Sequence, residues 1–114
     1  MNAEVEAAVS GSRVLWVAQR IEDARAALNA HAALHPDDVS RVTRTSGSEC
    51  IRYESGGETR YVSVRSHGGR GYAADLLSVT HSAYMDADMM SALLPCLATS
   101  DNARVIIRTD PRTA

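Results

Sequence analysis

The sequence predicts an α/β fold, a mainly parallel sheet layered with helices and extended by an antiparallel β-hairpin. Three observations predict it. Short, almost continuous apolar runs of strand length recur along the chain, the pattern of strands buried on both faces. Between them lie stretches whose apolar residues repeat every three or four positions, the period of a helix packed on a sheet. One pair of apolar runs is separated by Glu54-Ser55-Gly56-Gly57-Glu58, a turn whose glycines suit a tight hairpin.

In chain order, residues 1–11 read as a flexible or short helical lead-in, and residues 12–114 as one domain, the size a chain of 114 residues supports. Arg13 to Ala18 is the first buried strand. Ile21, Ala24, Leu28, His31 and Leu34 mark one face of a helix over 20–34, with Glu22 and Asp23 in its first turn where acids favour the helix dipole. His35-Pro36 ends it, because a residue before proline avoids helical geometry. Cys50 to Tyr53 and Thr59 to Arg65 form the hairpin, and Ser66 to Gly71 a glycine-rich loop. Leu76 to Thr80 is a further buried strand. Asp86 caps a helix expected to reach Ala98, bent near its end by Pro95. Arg104 to Arg108 is the last strand.

Composition removes several chemistries. All 12 basic residues are arginine, so neither a Schiff-base lysine nor a phosphate-binding-loop lysine is present. Net charge is −2, which implies no broad nucleic-acid-binding surface. The stretch 41–70 is nonetheless mildly basic, with Arg41, Arg44, Arg52, Arg60, Arg65 and Arg70 interspersed with glutamates. Cys50 and Cys96 fall in different elements and have no metal or redox spacing. No apolar run approaches membrane-spanning length and no secretory signal is evident, so a reduced cytoplasm is the expected setting and a membrane partner is not expected.

Each candidate site has a plainer reading beside it. The loop 66–71 has glycines enough to cradle a phosphate but lacks the spacing and the lysine of a nucleotide-binding loop. His31 and His35, with Asp37, would make a weak zinc site without a firm third ligand; ordinary surface or boundary histidines are the simpler reading. Thr80-His81-Ser82 followed by Asp86 places serine, histidine and aspartate just beyond a parallel strand, yet adjacent serine and histidine on a turn seldom face each other. Met89 and Met90 suit helix core.

Val14-Leu15-Trp16-Val17-Ala18-Gln19 and the helix after it, the hairpin of residues 51–65, Gly69 to Leu77, Ala83-Tyr84-Met85 and Val105 to Pro111 occur in an order that resembles the N-terminal ATPase part of the large terminase subunit of tailed bacteriophages. The likeness spans about residues 12–112. It implies a three-layer, P-loop-NTPase-like fold. It also implies departures from the family's machinery. The family's acidic pair, an aspartate that helps hold Mg²⁺ and a glutamate that activates water, falls on Thr80 and His81. Its coupling segment falls on Arg108-Thr109-Asp110-Pro111, and its phosphate-binding loop would precede Arg13, where no lysine occurs.

The resemblance therefore implies a degenerate relative without ATPase or nuclease activity, and with no cofactor, that acts through interaction in the bacterial host cytoplasm. The fold so implied lacks the P-loop strand, which would leave Arg104, Val105, Ile106, Ile107 and Arg108 as an open sheet edge, with the two arginines discouraging indiscriminate pairing. A homodimer or docking onto a phage packaging protein is the expected use of that edge. Two further readings stay open: a nucleic-acid-binding accessory using the arginines of 41–70, and a split ATPase subunit completed by a partner.

Overall fold

The computed structural model describes residues 2–65 and 72–109. Its centre is one six-stranded sheet: β1 (Arg13–Ala18), β2 (Val39–Thr43), β3 (Cys50–Tyr53), β4 (Glu58–Ser63), β5 (Leu76–Thr80) and β6 (Arg104–Arg108), in the order β2-β3-β4-β1-β5-β6. β1 runs parallel to β4 and β5, and β5 parallel to β6. β3 pairs antiparallel with both β2 and β4. The fold class is the expected one, with a parallel core and an antiparallel extension.

Helices cover both faces. On one lie α1 (Ala3–Val9) and α2 (Ile21–Ala32), over a core built from Val5, Ala8, Val14, Trp16, Leu28, Ile51, Tyr61 and Leu76. On the other, α3 (His81–Tyr84), α4 (Ala87–Leu93) and a 3₁₀ turn (Leu94–Leu97) bury Leu15, Val17, Leu77, Val79 and Met90. β1 and β5 are buried on both faces, because their successive side chains enter opposite cores. Their unbroken apolar runs follow from that.

Several expectations are corrected. The helix expected to run to Ala98 stops at Leu93, and Pro95 sits in the 3₁₀ turn that follows, since proline supplies no N–H to continue an α-helix. The strand expected over 59–65 begins at Glu58 and ends at Ser63. β2 and α3 were not expected at all. The lead-in takes its helical form: Asn2 Oδ1 caps α1 by accepting from the Val5 N–H at 3.0 Å, and Val5 and Ala8 are fully buried on the sheet. Met90 fills the core as expected, and Met89 packs beside it.

Candidate interaction surfaces

The carboxyl ends of β1 and β5 lie side by side where the chain leaves toward opposite layers, into α2 after β1 and into α3 after β5. In open α/β sheets this is the usual ligand crevice. Here Gln19 bridges it, donating from Nε2 to Thr80 Oγ1 at 3.1 Å and to Ser82 Oγ. The same Thr80 hydroxyl accepts the Ala83 N–H at 3.4 Å and so caps α3. Thr80 is buried, whereas His81 is exposed at the start of α3. The arrangement suits structural closure of the crevice. Among the described residues, no group of three or more His, Cys, Asp or Glu is placed to hold a metal ion.

His31 is not a surface residue. It is 6% exposed, its Nδ1 lies 2.6 Å from Tyr61 Oη, its Nε2 lies 3.2 Å from Asn2 Nδ2, and it meets the Trp16 ring edge-on. Burial pushes its pKa below the ordinary value, with the nearby Arg108 charge acting in the same direction and Glu4 opposing. His35 instead lies 3.9 Å from Glu6 and 3.6 Å from Asp38 at the surface. The two histidines are not brought together.

The arginines of 41–70 separate into groups. The ladder places Arg41 opposite Arg52, Arg52 opposite Glu58, and Glu58 beside Arg13. These residues form a transverse row over β2, β3, β4 and β1, on the face that bears α3 and α4 farther along. Arg60 stands two residues farther along β4, on the same face. Arg13 and Arg60 hold their guanidinium groups 4.7 and 5.1 Å from the Tyr72 ring centre, while Tyr72 Oη donates to Glu58 at 2.9 Å. Burial pushes the Tyr72 phenol pKa up, so it remains a donor. Arg44 turns away and bonds Asn29 of α2 at 3.1 Å. Arg65 lines a separate cleft with Arg25 and Glu49. Arg70, with the loop 66–71, lies outside the described residues, as does Asp110-Pro111 of the coupling segment. Arg13 was missed because strand register, which aligns it with the hairpin, is not written in local sequence.

β6 is an edge strand. Val105 is 38% and Ile107 is 45% exposed, an unusual amount for apolar side chains in a sheet. Both lie on the α3 side, since their ladder partners Leu77 and Val79 belong to that core. Exposed Tyr84 and Met85, at the end of α3, belong to the same layer. Arg108 does not guard the edge as expected. Its guanidinium lies 3.6 Å above the Trp16 ring centre and donates to Ser78 Oγ at 2.5 Å and to the Val17 carbonyl. The β1–β5 register ends at Trp16 and Ser78, so the Val17 carbonyl is reached by the guanidinium where the ladder stops. Ser78 in turn donates to the buried Glu4 carboxylate of α1 at 2.9 Å.

The chain superposes on a known architecture with a TM-score of 0.69 over 90% of its length. The fold is similar to part of a phage large terminase. The match is to the crystal structure of the HK97 bacteriophage large terminase, at 16% sequence identity, a distant similarity. The chain spans 23% of that protein's length. No protein-family model matches the chain, and no curated protein matches its sequence. Among the described residues the sheet ends at β6 on one side and at β2 on the other. No helix among the described residues is long and apolar enough to cross a membrane.

Proposed function

We propose that this chain is a non-catalytic terminase-like protein that acts by docking to a protein partner through β6, and so modulates phage DNA packaging. The observation that carries this reading is the exposed apolar edge of β6, with Val105 and Ile107 turned to solvent. A sheet edge of this kind is a template for association. The crevice supports the reading from the other side. Thr80 and His81 occupy the positions that the resemblance gives to the acidic pair, and the Thr80 hydroxyl is engaged in a helix cap and with Gln19. A hydroxyl and an imidazole are poor substitutes for carboxylates beside Mg²⁺.

The test is a pair of measurements on the purified chain. Mg²⁺-dependent ATP turnover is expected to be absent, and association at the sheet edge, with a second copy or with a packaging protein, is expected to depend on Ile107. Turnover lost on Thr80→Ala, or association indifferent to Ile107→Lys, overturns the reading.

A second reading, a nucleic-acid-binding accessory, is favoured by the row of Arg41, Arg52 and Arg13. Arg41 and Arg52 are directly opposed across β2 and β3, a like-charge pairing that disfavours the sheet and favours an anionic ligand. Binding to DNA that weakens steeply with added salt, and weakens further in Arg41→Ala/Arg52→Ala, is the expected result on that reading. Absence of binding at low salt removes it.

A further inference from the structure

We propose that the occupant of the β6 edge is a second copy of this chain, paired antiparallel about a two-fold axis at Ile106. The inference rests on the reading of β6 as the docking edge and names its partner.

Backbone direction selects the groups that meet. Arg104 donates its N–H to the Asp75 carbonyl at 3.0 Å, on the β5 side. In a strand the N–H and C=O of one residue point the same way, and the direction alternates along the chain. Arg104, Ile106 and Arg108 therefore face β5 with their backbone, and Val105 and Ile107 face outward. An antiparallel copy centred on Ile106 brings Val105 opposite Ile107 of the second copy, so that outward-facing groups meet outward-facing groups. Ile106 then faces its own counterpart as a non-hydrogen-bonded pair.

The side chains are self-complementary in the same register. An axis normal to the sheet keeps equivalent faces together. Val105 and Ile107 of both copies gather on the α3 side, where each is exposed in the single chain. On the other face the register sets Arg104 opposite Arg108 of the second copy. This would oppose pairing if both charges stood at the edge. They do not. The Arg108 guanidinium lies over Trp16 on β1, two strands inward, about 10 Å at the usual strand spacing. Its bonds to Ser78 and Val17 hold it there.

The opposite edge of the sheet behaves differently. β2 has a register shift between Val39 and Arg41 and exposes Ser40 and Arg41. Bulges and charges of this kind blunt an edge against pairing. β6 pairs with β5 in unbroken register from Arg104 to Arg108 and exposes Val105 and Ile107, with one exposed charge, Arg104, at its start. One edge is guarded and the other is matched to itself.

The register makes a covalent test available. A non-hydrogen-bonded antiparallel pair has its Cα atoms about 4.5 Å apart, within the range of about 4.4–6.8 Å that a disulfide accepts. Full-length Ile106→Cys, oxidised mildly, is expected to give a disulfide-linked dimer. Val105→Cys and Ile107→Cys are expected to give little, because neither residue meets its own counterpart. Sedimentation of the unmodified chain should show a dimer, and Ile107→Lys should raise the dimer dissociation constant by about tenfold or more through a charge placed in an apolar contact. Circular dichroism checks that each variant is folded. A dimer indifferent to Ile107→Lys, or cross-linked at 105 in place of 106, overturns the proposal. A monomer that binds a synthetic strand peptide with acidic ends also overturns it, while leaving β6 as a docking edge. A monomer that binds no strand peptide sinks both.

Discussion

His31 shows how far a residue's role depends on what lies above it. In the sequence it continues an apolar helix stripe, and in the fold it is enclosed between Trp16, Tyr61 and Asn2. Burial lowers its pKa from 6.5, so the folded state favours the neutral ring. The unfolded chain then binds more protons than the folded one once pH falls below about 6.5, the ordinary histidine value. The stability that His31 contributes is complete above that pH and is lost as pH falls through the lower folded value. Thermal unfolding followed from pH 7.5 down to pH 5 should show a declining midpoint, and the decline should be shallower in His31→Gln. A parallel decline in the two proteins would assign the effect to other groups.

At the scale of elements, α1 depends on a close approach that only glycine permits. A Cβ on Gly57 would lie 1.9 Å from the Ala8 carbonyl oxygen and 2.9 Å from that of Ser12. Both contacts are backbone, so relief requires α1 to move away from the β3–β4 turn. Gly57→Ala should therefore destabilise the fold by about 1–3 kcal/mol, the ordinary scale of overpacking. At about 4–8 °C per kcal/mol for a domain of this size, the loss is readily visible in a melting curve. An unchanged midpoint would mean that α1 contributes nothing to the fold.

The elements also show what the sequence discloses. β1, β5 and β6 were legible to the residue because their apolar runs have strand length and clear ends. β2 was not, because Val39-Ser40-Arg41-Val42-Thr43 is a half-exposed edge strand with a bulge and shows neither pattern cleanly. α3 has four residues, too few for a period to appear. The site was legible in part. The β6 edge follows from chain order and the resemblance, whereas the inward turn of Arg108 and the alignment of Arg13 with the hairpin arginines are facts of packing and register.

For the whole molecule, self-association and stability are linked. A dimer joined at β6 ties folding to concentration, because dissociation must accompany unfolding and mass action then favours the folded state as protein is added. The melting temperature of the unmodified chain should rise across a hundredfold concentration series. Ile107 is 45% exposed in the single chain, so Ile107→Lys should leave the fold of the monomer nearly intact and remove the concentration dependence. Trp16 is suited to report it, since it is the 1 tryptophan of the chain and lies beneath the Arg108 guanidinium. Its fluorescence and far-ultraviolet dichroism should change together if both helical layers unfold with the sheet they share. A midpoint independent of concentration in both proteins would separate the open strand from any role in self-assembly, and the exposed Val105 and Ile107 would then require a different partner.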